Sequence, residues 1–178
     1  MLRRSLDERS APARVVSAGL TADGVPAAES AAEVAADLGL DISAHRSRVL
    51  TAPMIESSDL VIGLAREHVR ETVLLVPEAF GRAFTLKELV RRGTALGARR
   101  PGEPLEAWLS RAHAGRTTML HLGTSPHDDV EDPIGRRPKV YERVGGELQV
   151  LVDGLVELIW PADKPVPSPP GSTELATT

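Results

Sequence analysis

Val15-Val16-Ser17-Ala18-Gly19-Leu20 decides how the rest of the chain is read. Two β-branched residues, two small residues and a glycine describe a short buried strand that runs into a turn. The pattern predicts a strand over Ala13–Ser17 that stops at Gly19. Upstream stand only the fourteen residues Met1–Arg14, of which Leu2–Arg9 reads as the back end of a helix.

Downstream, strand and helix patterns alternate. Asp23-Gly24-Val25-Pro26 is a turn that opens a helix, whose apolar positions Ala27, Ala31, Val34, Ala35 and Leu38 end at Gly39. Asp41–Arg48 is extended and polar, and Thr51 caps a short helical turn through Met54 and Ile55. Leu60-Val61-Ile62 is an apolar run between Asp59 and Gly63, as expected of a parallel strand. A helix follows over Arg66–Leu75, stopped by Pro77, and Arg82–Phe84 reads as a further short strand. Thr85-Leu86-Lys87-Glu88 has the form of a capping box, with Glu88 reaching back to the Thr85 backbone. Gly93–Pro104 and Gly115–Asp129 read as loops around a helix at Leu105–Ala112. The last helix carries one stripe: Val140, Val144, Leu148, Leu151, Val152, Leu155, Leu158 and Ile159. Gly145-Gly146 inside it predicts a kink or a close helix contact. The alternation implies an α/β fold in three layers, a parallel sheet flanked by helices. Residues 1–160 form one domain on this reading, and 161–178, with five prolines, form a disordered tail.

Composition narrows the function. The 178 residues carry 26% charged and 42% hydrophobic side chains and a net charge of −4, which favours neither nucleic acid nor an anionic membrane as partner. No apolar run approaches the ~20 residues of a membrane span. The charged N-terminus is unlike a signal peptide, so the expected compartment is the cytoplasm. There is no cysteine, which excludes disulfides, thiolate metal sites and thiol chemistry by these residues. His121, His127, Asp128 and Asp129 are ligand types for a divalent ion, but they lie in a loop without regular spacing. No metal site is assigned to them. Asp128, Asp129, Glu131 and Asp132 read as an acidic stretch, with Asp129 in a solvated turn.

Four landmarks, in order, resemble the low-molecular-weight protein tyrosine phosphatase family of the bacterial type. They are Ser17-Ala18-Gly19, the stretch Gly39–Arg48 with Asp41, His45 and Arg48, the strand after Ser58-Asp59, and Asp129–Gly135 followed by a helix containing Tyr141. The resemblance covers about residues 1–160 and implies the family's three-layer fold. It also implies that the first, central strand and its Cys-x5-Arg phosphate loop are missing, and a gap or an irregular pairing is expected between Ala13–Ser17 and Leu60–Ile62. In the family, that loop cradles phosphate in backbone N–H groups and its thiolate attacks phosphorus. A loop aspartate protonates the leaving group and then activates water.

By position that aspartate is Asp132, stiffened by Pro133. Ser17 and His45 stand where the family braces the phosphate loop. Ile134 stands where many members place an aromatic wall, so the resemblance leaves phosphotyrosine and phosphoarginine both open. Arsenate reductases of this fold need further cysteines downstream, and this chain has none. The implied partner is a phosphorylated protein or a small aryl phosphate, with no cofactor. Two functions remain open: a hydrolase whose record starts too far downstream, or a catalytically inactive remnant that binds a partner. Against the remnant stands the cost of a lost central strand, about 1–3 kcal/mol for each buried peptide group left unsatisfied.

Overall fold

The computed structural model describes residues 1–162, without the side chains of Leu120 and His121. Seven helices and two strands succeed one another among these residues: α1 (Leu2–Glu8), α2 (Glu29–Asp37), α3 (Ala52–Glu56), β1 (Val61–Gly63), α4 (Arg66–Leu75), β2 (Ala83–Thr85), α5 (Leu86–Leu96), α6 (Leu105–His113) and α7 (Pro138–Ile159). Short 3-10 turns occupy Pro77–Arg82 and Thr118–His121. The sequence-based tail falls, but for 161 and 162, outside the described residues.

β1 and β2 pair in parallel, with Val61, Ile62 and Gly63 opposite Ala83, Phe84 and Thr85. Side chains alternate across a strand, and the alternation sorts the core. Ile62 and Phe84 join the larger cluster, where Leu86 and Leu89 of α5, Trp108, Leu109 and Ala112 of α6, and Val152, Leu155 and Ile159 of α7 pack together. Val61 joins the smaller cluster on the other face, with Ile55 of α3, Val76 and Ala79. The fold is thus a small parallel sheet flanked by helices, as the alternating pattern predicts. On the outer side of α7 lie α1 and α2. Arg4 and Ser5 of α1 bond to Gln149 and Asp153 of α7 at 3.0 and 3.1 Å, and Arg9 pairs with Glu157.

One predicted strand does not form. Residues 11–18 are irregular and belong to no ladder, and Val16 is 44% exposed. The run meets the rest of the chain through an isolated parallel bridge, Gly19 with Val49. Arg3 Nη2 also donates to the Val15 carbonyl at 3.1 Å. A β-branched run records a preference for the pleated state, but a strand also requires a neighbour with unpaired N–H and C=O groups. Among the described residues no strand lies beside this run. The expected gap or irregular pairing between two formed strands is therefore replaced by a single strand pair, β1 with β2, and an irregular run that joins no sheet.

Other boundaries shift for local reasons. Pro26 bridges to Arg46 instead of opening α2, which starts three residues later at Glu29. α5 continues to Leu96 through residues read as loop, because Gly93 lets Leu158 and Trp108 pack close to its backbone. At Gly145 a Cβ would stand 2.6 Å from Val34 Cγ1, so the close-contact reading of the α7 glycines holds where α2 crosses. Only half of the capping box forms. Thr85 Oγ1 accepts from Glu88 N at 3.1 Å, while the Glu88 carboxylate accepts from Arg92 Nε and Arg116 Nε at 3.1 and 2.9 Å.

Arg116 is the deepest cation in the molecule's described part, with a fully buried side chain. Its guanidinium also donates to the carbonyls of Ala83 and Phe80, at 2.7 and 2.9 Å, and lies over the Phe84 and Phe80 rings at 3.9 and 4.7 Å. Burial lowers its pKa from the ordinary arginine value, with the Glu88 charge opposing. It anchors the start of the loop that leads to Asp132.

Candidate active site

The carboxyl end of a parallel strand is where α/β sheets bind ligands, and here the end of β1 receives a long loop from elsewhere in the chain. β1 turns into α4 at Gly63-Leu64-Ala65. A Cβ on Gly63 would meet His68 Cβ at 2.8 Å, so the tight turn depends on glycine. Val130 N donates to the Leu64 carbonyl at 2.7 Å, which brings the Asp128–Gly135 stretch directly onto this turn.

Charged side chains secure the docking. Asp128, 6% exposed, accepts from Arg66 Nε at 2.8 Å and Nη2 at 2.7 Å, and from Arg91 Nη2 at 2.8 Å. Burial alone would raise its pKa, but the hydrogen bonds and charges of Arg66 and Arg91 outweigh that and hold it below the usual aspartate value. Asp129 accepts from Arg66 N and from Ser125 N, both at 2.7 Å. Lys87 Nζ donates to the Asp129 carbonyl at 2.8 Å and pairs with Glu147 at 2.7 Å. Asp129 is therefore not in a solvated turn, as its place in an acidic stretch suggests. Both of its oxygens take backbone N–H groups from two different segments.

Beyond Val130 the chain turns outward. Glu131 pairs with Arg143 of α7, and that hydrogen bond holds its carboxyl below the usual glutamate range. Asp132 is exposed, with Oδ1 accepting from Ile134 N at 3.0 Å in an Asx turn. Pro133 and Arg136 close the next turn, which passes through Gly135 at φ +74°. Of the four acidic residues on this loop, three are committed: Asp128 to two arginines, Asp129 to two backbone amides, Glu131 to one arginine. No described ion pair engages Asp132.

Ser17 and His45 lie on other segments. Ser17 is exposed in the irregular run, and His45 is exposed two residues before Ser47, whose backbone N donates to the Val25 carbonyl at 2.9 Å. Among the described residues no hydrogen bond joins either side chain to the Asp132 loop. Of the four side chains considered as metal ligands, Asp128 and Asp129 are engaged by arginines and backbone amides, and the described residues include no cluster of three metal-ligating side chains. The His121 side chain lies outside the described residues.

Sequence reading missed Arg66, Lys87 and Arg91, which fasten the loop. No sequence signal marked these cations; the one signal present, an alanine at the N-cap of α4 with no side-chain acceptor, points instead to an acceptor such as Asp129.

The comparisons with known proteins agree with this architecture. A profile described as Low molecular weight phosphotyrosine protein phosphatase matches residues 1–101, more than half of the 178-residue chain. A probable low molecular weight protein-tyrosine-phosphatase, EpsP, from Ralstonia solanacearum is 40% identical over 76 residues, covering 42% of this chain and 52% of that protein. The low molecular weight protein-tyrosine-phosphatase Etp from Escherichia coli K12 is 36% identical over 59 residues, 33% of this chain and 40% of that protein. The chain spans about half the length of the curated relatives it matches. Among solved structures, the low molecular weight protein tyrosine phosphatase from T. tengcongensis superposes with a TM-score of 0.64 at 29% identity, covering 88% of this chain and 84% of that one. The YwlE arginine phosphatase from Geobacillus stearothermophilus gives a TM-score of 0.60 at 26% identity, covering 88% and 80%. By the profile match over more than half of its length, the chain belongs to the low molecular weight phosphotyrosine protein phosphatase family.

Proposed function

We propose that this chain supplies the general acid of a phosphoric monoester hydrolase, and that the acid is Asp132. The observation that carries the reading is the division of labour on the loop. Three carboxylates are held by arginines or by backbone amides of other segments, whereas Asp132 is exposed and its hydrogen bond, from Ile134 N, lies within its own Asx turn.

In the proposed reaction a cysteine thiolate attacks phosphorus and the bond to the leaving atom breaks, an oxygen in phosphotyrosine or an aryl phosphate and a nitrogen in phosphoarginine. The proton of Asp132 goes to that atom. The Asp132 carboxylate then takes a proton from the water that attacks the phosphocysteine, which releases inorganic phosphate and the thiolate. The substrate class is a phosphorylated protein side chain or a small aryl phosphate, and the reaction takes place in the cytoplasm. Among the described residues no helix is long and apolar enough to cross a membrane. Phosphotyrosine and phosphoarginine are both candidates. Ile134, 75% exposed beside Asp132, gives an aromatic ring no stacking partner.

The 178 residues contain no cysteine, so this chain should not turn over p-nitrophenyl phosphate. A form extended by in-frame upstream codons for Cys-x5-Arg should do so, and Asp132→Ala in it should slow turnover by about 10²–10⁴-fold. The loss should be greatest for poor leaving groups, with little change in substrate affinity. Turnover by the 178-residue chain that disappears in Asp132→Ala would overturn the thiolate mechanism. Full activity of Asp132→Ala in the extended form would remove Asp132 from the reaction.

A further inference from the structure

The N-terminus of α4 lacks a cap of its own. Ala65 occupies the N-cap position with extended backbone, φ −141° and ψ 161°. There a serine, threonine or aspartate oxygen ordinarily accepts from the first turn, and alanine has no such atom. Two other side chains compensate. His68 Nδ1 accepts from Leu64 N and Ala65 N at 3.1 Å each, which tightens the turn from inside the helix. Asp129 Oδ1 accepts from Arg66 N at 2.7 Å, across 63 residues of sequence. Its Oδ2 accepts from Ser125 N, also at 2.7 Å, and so closes the loop on itself. One carboxylate thereby ties the first turn of a helix to the loop that presents Asp132.

We propose that Asp129 is a positioning residue that seats the Asp132 loop on the N-terminus of α4. Asp128 and Lys87 support that seat from either side. The loop is then ordered before any substrate arrives, and Asp132 is held at the carboxyl end of β1 by a bond three residues away. This inference rests on the reading of Asp132 as the proton donor. It adds that the acid's placement is set by a helix cap and not by a mobile lid.

A helix cap and a loop anchor can be separated experimentally, because Ala65→Ser gives α4 an acceptor of its own without touching the loop. The 178-residue chain is measured by thermal unfolding and by amide hydrogen exchange at Val130 and Ile134, which donate to Leu64 O and Asp132 Oδ1. Asp129→Ala should lower Tm and speed exchange at both amides by roughly tenfold or more, as expected when a local segment opens independently of the core. Adding Ala65→Ser should restore Tm and leave both amides fast. If the second substitution restores the amides as well, Asp129 is only a cap and the proposal fails. It fails equally if Asp129→Ala leaves both amides at their original rates. Asp129→Asn keeps one acceptor oxygen and covers the case in which the alanine variant does not fold; its amides should exchange at intermediate rates, and wild-type rates overturn the proposal. None of these readouts uses turnover. An inert Asp132 would appear in the extended enzyme's kinetics while the exchange pattern stayed as stated, so the two failures are distinguishable.

Discussion

The loop from Leu122 to Val130 and the run from Ala11 to Ala18 are both irregular backbone, and they are held in opposite ways. The first is fastened by Arg66, Lys87 and Arg91, by two aspartates, and by a backbone bond to Leu64. The second is irregular and mostly exposed, tied by the Ala11 N bond to the Leu6 carbonyl, by an arginine on the Val15 carbonyl and by the bridge at Gly19. Yet the second carries the stronger strand pattern. Order in an irregular segment follows from where its polar groups find partners, and propensity alone does not supply partners. The site residues divide along similar lines: Asp132 follows directly on the fastened loop, Ser17 lies on the irregular run, and His45 lies on a third segment bridged to Val25 and Pro26.

The largest effect should come from breaking the anchor at the start of the fastened loop. Arg116→Ala leaves Glu88 buried against fewer cations, and loss of one partner of a buried pair costs about 3–5 kcal/mol. Urea unfolding measures it. Glu88→Leu combined with Arg116→Met should recover part of that loss, because the buried carboxylate leaves together with its guanidinium, while Arg92 and the Ala83 and Phe80 carbonyls still lose partners. A loss below about 1 kcal/mol for Arg116→Ala, the worth of a surface pair, would mean the anchor is solvated. Next comes Gly63→Ala, where the added methyl meets His68 Cβ at 2.8 Å. Overpacking of this kind costs about 1–3 kcal/mol and should loosen the β1–α4 turn on which the loop rests.

Most of the scaffold was legible because it is local. Arg66–Leu75 and the final stripe read directly from periodicity, and Leu60–Ile62 needed only an apolar run between Asp59 and Gly63. What could not be read is pairing at long range. Glu88 looks like half of a capping box until Arg116, 28 residues on, takes its carboxylate. Asp129 looks solvated until Arg66 N, 63 residues back, is found against it. Ala13–Ser17 looks like a strand because a sequence does not state what lies beside it. The candidate acid was found through a resemblance, while the reason to prefer it over its three acidic neighbours came only with their partners.

A smaller effect tests the electrostatic side of the comparison. Asp128 has its folded-state pKa depressed, so the stability it contributes is complete above the unfolded aspartate pKa of about 3.9 and is lost as pH falls through the lower folded value. Asp128→Asn should cost about 1–3 kcal/mol at neutral pH by weakening its bonds to Arg66 and Arg91. The variant should also lose less stability than the parent between pH 5 and pH 2. Parallel stability curves for the two proteins across that acid window would show that the Arg66–Asp128–Arg91 clasp does not hold the loop.

The smallest effects belong to Ser17 on the irregular run and to His45, and they sharpen the comparison most. Ser17 and His45 are exposed, so Ser17→Ala and His45→Ala in the 178-residue chain should each change stability by no more than about 0.5 kcal/mol. That is the ordinary outcome for surface substitutions away from caps and networks. The informative measurement repeats both variants in a form extended upstream to include a phosphate loop. If these side chains brace that loop, their hydroxyl and imidazole become buried partners there. Removing either should then cost about 1–3 kcal/mol, the penalty for stranding a buried polar group, and should lower turnover more than it changes substrate affinity. Equal, negligible effects in the short and extended forms would leave Ser17 as a residue of an irregular run and His45 as a surface histidine. The fastened loop would then be the part of the described chain that serves the chemistry.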